Sequence, residues 1–301
     1  MIARDAPLSP PIAAHACSLL SNLFGCDTKG VTAVALLSLA PLMQLFRTHL
    51  LDATVAHTAA FMLNSLVLQG AHAHAYHAIA RAGALPLLAT ATKTHMAVLK
   101  PDVAEICLRA AMNLSCNDPG LKAEVVVHGL DGLAIQAFLL RGSADLLLAS
   151  AASGLLGNVM SVPGQREKVL ASGVVAAIVP ALPDLLRFNE AGMTPSIWGQ
   201  HAAAVVLLPP MFYNTHLGAD DSVAAALVAS LRLAVSTPHL EDLDPVAKRL
   251  LGAIHNIILV RGSGVAAVFR AHDAQSVVHS ACKKFPALKD LAASTTKLLL
   301  S

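Results

Sequence analysis

Aromatic and charged side chains are both scarce in this chain of 301 residues: 4% are Phe, Trp or Tyr and 13% are Asp, Glu, Lys or Arg. Ordinary globular proteins carry roughly 25% charged residues. A β-sandwich or barrel would need more Tyr, Phe, Ile and Thr than are present. The net charge of +2 is too small for the basic face that nucleic-acid binding requires. The five cysteines (Cys17, Cys26, Cys107, Cys116 and Cys282) are odd in number and show no CxxC spacing. They read as small buried hydrophobes in a reducing compartment, which points to the cytoplasm or the nucleus. No GxSxG, HExxH or P-loop occurs, and no convergent carboxylate pair is apparent, so neither an enzyme nor a cofactor is expected. RGSAD at 141–145 and RGSGV at 261–265 follow no strand and read as helix breaks. In AHAHAYHA only His74 and His77 share a helix face, His72 does not, and no Cys, Asp or Glu stands close by. That is a surface run of histidines rather than a metal site.

Uninterrupted membrane spans are missing too. Two stretches, Ala53 to Ala80 and Ala191 to Ala219, lack Asp, Glu, Lys and Arg, and a bilayer span needs about 20 consecutive apolar residues. The first is broken by His57, Asn64, Gln69 and the histidines, the second by Pro195, Gln200, His201 and Pro209–Pro210. Both read as buried helices. Arg4 and Asp5 ahead of a Pro-broken stretch do not make a cleavable signal.

What is abundant is Ala, Leu and Val, within an apolar fraction of 55%, and it recurs with a period. Small and aliphatic residues followed by Asn and another aliphatic appear around Asn22, Asn64, Asn113, Asn158 and Asn256. HAAAVVLLPPM carries Pro209 in the same column. The steps of 42, 49, 45, 51 and 47 cluster near the roughly 40–47 residues of HEAT and armadillo repeats. A second column is in phase with the first. Gly83, Gly129 and Gly173 each precede an aliphatic helix start, and Ser38 and His272 fill the slot in the first and last copies. Glycine suits a helix end because it takes the left-handed conformation cheaply.

Each repeat therefore reads as two short helices and a longer third. The clearest copy runs Asp118–His128, Leu130–Leu140 and Ala144–Val159. Asp102, Ser143 and Asp244 are the expected N-caps of third helices, with Pro101 and Pro195 marking the breaks before them. The third helices should end near residues 26, 68, 117, 161, 213 and 260 of a single domain, 1–301. Pro209–Pro210 should kink the fifth, displacing Phe212 and Tyr213 to form an aromatic edge.

GALPLL at 83–88 and LRAAMNLSCND at 108–118 resemble the second-helix start and third-helix end of the armadillo family. The resemblance implies an all-α, right-handed solenoid of about six repeats. It also implies that Asn22, Asn64, Asn113, Asn158 and Asn256 hydrogen-bond the backbone of an extended peptide, since an amide both donates and accepts. The alternative is that these amides tie neighbouring helices together. One turn earlier the family's nuclear-import adaptors carry Trp, whereas this column reads Ser18, Ala60, Arg109, Gly154, Val205 and Gly252. That speaks against a receptor for basic import signals. The small residues Ala60, Gly154 and Gly252 would leave room for apolar anchors. Arg109, His201, Lys248 and Arg249 would favour an acidic or C-terminal carboxylate ligand, the alternative being ordinary solvated faces.

HAAAVVLLPPMFYNTH at 201–216, DPVAKRLLGAIHNIILVRGSGVAAVFRAHD at 244–273 and a short closing helix to Leu300 resemble, more loosely, the PUL domain of the ubiquitin-pathway phospholipase-activating-type proteins. Such membership implies, as partner, the C-terminal tail of the valosin-containing AAA ATPase. Against a peptide-binding scaffold stands a structural subunit that associates through apolar surfaces.

Overall fold

Gly83, Gly129 and Gly173 all take the left-handed conformation, at φ +88°, +72° and +80°, and each is followed directly by a helical residue. The computed structural model describes residues 9–26, 31–69, 73–141, 145–174, 221–236 and 244–301. Helix α1 spans Pro10–Cys26, α2 Val31–Thr48, α3 Ala53–Gln69, α4 Ala73–Arg81, α5 Ala84–Ala97 and α6 Pro101–Ser115. They are followed by α7 at Pro119–Val127, α8 at Leu130–Arg141, α9 at Leu146–Val159 and α10 at Gln165–Ala171. Later come α11 at Asp221–Ser236, α12 at Asp244–Arg261, α13 at Ser263–Ala271, α14 at Ala274–Lys284 and α15 at Lys289–Leu300. No strand occurs among the described residues.

The clearest repeat is recovered almost residue for residue as α7, α8 and α9. The third helices α1, α3, α6, α9 and α12 end at Cys26, Gln69, Ser115, Val159 and Arg261. The kink at Pro209–Pro210, the cap at Ser143 and the break at Pro195 lie outside the described residues, as do His201, Phe212 and Tyr213.

Four local expectations need correction. Ser38 ends no helix, because α2 runs through it; without glycine nothing turns the chain left-handed, and two short helices fuse. In the last copy the left-handed residue is Asp273, at φ +64°, rather than His272. Asp102 is not an N-cap: Lys100 holds that position without a side-chain bond, and Pro101 opens α6, as its fixed φ permits. Asp244 is already the first residue of α12.

Asp118, by contrast, caps α7: its Oδ1 accepts the Leu121 N–H at 2.9 Å, and its Oδ2 lies 3.0 Å from His77 Nε2 on α4. The Leu121 bond, and after it the charge of His77, hold the Asp118 carboxyl below its ordinary pKa. A carboxyl depressed in the fold stabilises at pH above its unfolded pKa, and that contribution is lost as pH falls through the folded one. Asp118→Ala is expected to cost about 1 kcal/mol in urea unfolding at neutral pH. The difference from the parent chain should shrink on acidification.

The described residues fall into two compact units, Met1–Arg141 with Leu147–Arg166 and Gly142–Leu146 with Glu167–Ser301. In the first, α1 packs along α3, α3 along α6, and α5 against α6 and α8. Phe46, Met62, Leu85, Leu108 and Phe138 are fully buried there. Cys17 and Cys107 are buried as expected, whereas Cys116 is exposed. Burial pushes the Cys17 thiol up to about 11, against the weaker pull of a bond with Thr58. Such thiols are unreactive.

In the second unit α11 packs against α12 and α14, and α15 closes over α12 and α14. Lys284 Nζ donates to the carbonyls of Ala234 and Val235 at 3.2 and 2.9 Å, satisfying the open end of α11. Arg270 does the same at the Leu299 carbonyl, at 2.7 Å.

No single described helix is long and apolar enough to cross a membrane. The pair Pro119–Val127 and Leu130–Leu140 passes only as two pieces bent by 69°.

Candidate functional site

Side-chain hydrogen bonds at one recurring level tie α1 to α3, α3 to α6, α6 to α9 and, in the second unit, α12 to the closing helix α15. Ser65 on α3 meets Ser21 on α1, the two hydroxyl oxygens 3.2 Å apart. Asn113 Nδ2 on α6 donates to Asn64 Oδ1 on α3 at 2.8 Å. Asn158 Nδ2 on α9 donates to the Met112 carbonyl of α6 at 2.8 Å and lies 3.3 Å from Ser115 Oγ. In the second unit His255 Nδ1 on α12 lies 3.2 Å from Thr295 Oγ1 on α15. The Thr295 hydroxyl donates to the Leu291 carbonyl, so the imidazole is the donor here. Burial holds the His255 pKa below its ordinary value, in keeping with a neutral ring.

These ties fix the register. Residues 65, 113, 158 and 295 each reach back to positions 21, 64, 112 and 255, one before the column residue of the preceding helix. Ser65, not Asn64, is therefore the α3 member of the column. Asn64 itself is buried, at 5% exposure. A shift of one residue turns a helix face by about 100°, so the position one turn before the column in α3 is Phe61 rather than Ala60. The slot read as small holds the aromatic.

The remaining candidates divide. Asn22 is exposed on α1, while Asn113, Asn158 and Asn256 are half-buried. Asn113 uses one amide N–H on Asn64, whereas Asn158 donates to both the Met112 carbonyl and Ser115 Oγ and keeps its amide carbonyl. Lys248 is exposed and Arg249 half-buried on α12. Arg109 lies against Glu105, one turn earlier on α6. Sequence reading passed over this partner, although Glu four residues before Arg is the favoured order on a helix. Ala60, Gly154 and Gly252 are all buried and open no space for an anchor.

The apolar surface lies elsewhere. On α3, Phe61 is 46% and Leu68 67% exposed, and the His57 ring is parallel to Phe61 with centroids 6.5 Å apart. Leu259 on α12, 58% exposed, follows Asn256 by three residues. The one signal that could have found Phe61 is an aromatic standing beside the column in a chain so poor in aromatics. Among the described residues no three His, Cys, Asp or Glu side chains come together as a metal site, and His77 is spent on Asp118.

No protein-family model matches the chain, and no curated protein matches it in sequence. Solved structures do match in fold. A designed armadillo repeat protein is similar to it with a TM-score of 0.57 and 14% identity, over 87% of this chain and 99% of that one. An engineered protein from a structural-genomics consortium gives 0.59 and 17% identity, over 87% and 98%. A second such protein gives 0.57 and 18%, over 87% and 96%. At these identities the likeness is one of fold. The chain is an all-α solenoid of armadillo type.

Proposed function

We propose that this chain is a non-enzymatic scaffold that binds a protein partner, laying an extended peptide or tail across its third helices. The observation that carries the reading is the repeated level shared by α1, α3, α6 and α9. There Asn113 and Asn158 are oriented by bonds to the helix before, and on α3 the same level is bordered by the exposed Phe61 and Leu68. An amide already held in place offers its remaining groups without first losing rotamer freedom, which lowers the cost of binding. The looser PUL resemblance supports a tail such as that of the valosin-containing AAA ATPase, in ubiquitin-linked turnover in the cytoplasm and nucleus.

Preference for acidic ligands rests on Arg109, and here Glu105 competes. A ligand carboxylate must draw Arg109 away from Glu105. Arg109→Ala is expected to weaken an acidic tail peptide about tenfold, as loss of one charged hydrogen bond implies. Glu105→Gln should tighten the same peptide a few fold. Calorimetric titration of the intact chain at two salt concentrations checks both. Absence of saturable binding by any extended peptide would remove the scaffold reading.

One observation favours the alternative, association through apolar surfaces. Ile12 and Leu19 on α1 are 57% and 64% exposed. They stand 43 residues before Val55 and Met62, the same offset that relates Asn22 to Ser65. Val55 and Met62 are both fully buried, and Val55 packs against Ala13 and Ala14 of α1. The outer side of α1 thus presents the kind of surface that α3 covers with a helix.

A further inference from the structure

We infer that α3 carries the apolar anchor subsite of the scaffold, and that it takes the aromatic or aliphatic side chain of an uncharged peptide segment. The inference rests on the peptide-binding reading and narrows it to one ligand chemistry. Phe61, Leu68 and His57 supply the surface. Phe61 and Leu68 are seven residues apart and so lie on one face of the helix, two turns from each other. The parallel His57 ring extends the flat apolar area next to Phe61.

Charge decides the occupant. Neither α1 nor α3 contains a single Asp, Glu, Lys or Arg. A charged ligand side chain laid against this pair would lose water without gaining a counter-charge, which is costly. The neighbouring helix differs, since α6 carries Asp102, Glu105 and Arg109. The face therefore changes from uncharged to charged between α3 and α6. An apolar side chain fits the first and a polar or ionised one the second.

The spacing follows from geometry. Packed helices lie about 8–10 Å apart, and an extended chain advances about 3.3 Å per residue. One third helix thus corresponds to about three ligand residues. The anchor over Phe61 and the residue that meets Asn113 and Arg109 should stand about three positions apart.

The test uses the intact chain and fluorescein-labelled peptides that carry one Leu, Phe or Trp in a Ser, Thr and Asn background. Anisotropy titration is expected to give saturable binding that falls at least tenfold when Asp replaces the anchor. The same Asp placed three residues away, toward α6 and Arg109, should not weaken binding. Phe61→Ser and Leu68→Ser should each remove the anchor preference, and for Leu68→Ser, at a side chain 67% exposed, the thermal midpoint should stay near that of the parent. Peptides that bind with no regard to the anchor or to Phe61 would overturn the inference and leave the scaffold reading standing. Failure of every peptide to bind would remove both. Light scattering that shows a dimer abolished by Phe61→Ser would also overturn it, by placing a second copy on this face.

Discussion

His95→Ala is expected to lower the unfolding free energy by about 3 kcal/mol, the largest single-site loss foreseen in the N-terminal unit outside its aromatic core. His95 sits on α5 at 1% exposure, and its Nε2 donates to the Leu50 carbonyl at 2.9 Å. Leu50 follows α2 and is 45 residues away, one repeat length, so the bond joins the second-helix layers of two repeats. Truncation leaves a buried carbonyl without its donor, which costs about 1–3 kcal/mol. It also leaves the volume of a ring, and cavities in well-packed sites cost roughly as much again. His95→Gln keeps a donor and much of the volume and should lose about half as much. Urea unfolding followed by circular dichroism separates the two, provided the slope with denaturant is unchanged.

The second large effect is the double substitution Asn113→Ala, Asn158→Ala, expected to cost about 2–4 kcal/mol. Each amide makes a part-buried bond to the helix before it, and loss of such a bond costs about 1–3 kcal/mol where a partner is left bare. Asn64 loses the donor to its Oδ1, and the Met112 carbonyl loses one of its acceptor contacts. In a repeat protein stability is nearly a sum of unit and neighbour terms. Both changes fall on neighbour terms, α3 to α6 and α6 to α9. The variant should therefore unfold less cooperatively as well as earlier.

Much of this organisation was legible in the sequence, for a reason particular to repeats. Gly83, Gly129 and Gly173 are visible because no other residue takes their conformation so cheaply, and two columns in phase fixed the helix order. The register of α3 was not legible. Asn64 and Ser65 are adjacent and both fit a column of small polar residues, and only the bonds to Ser21 and Asn113 separate them. That single residue decides whether Ala60 or Phe61 faces outward, and with it the nature of the candidate site. The fused α2 shows the converse: where Ser38 replaces glycine, periodicity alone still suggested a break that the backbone does not make. Arg109 looked like an open cation because the column directed attention to Asn113, although Glu105 stood one turn before it in plain view.

The column invites two accounts, one in which the amides serve a ligand and one in which they first hold the stack. Asn22 and Asn158 separate them, because Asn22 is exposed on α1 whereas Asn158 is bonded to α6. Urea midpoints of Asn22→Ala and Asn158→Ala, measured side by side on the intact chain, are the most direct test. The account predicts that Asn158→Ala loses about 1–2 kcal/mol, while Asn22→Ala stays within about 0.5 kcal/mol of the parent, as exposed substitutions do. Equal midpoints for the two variants and the parent would contradict it.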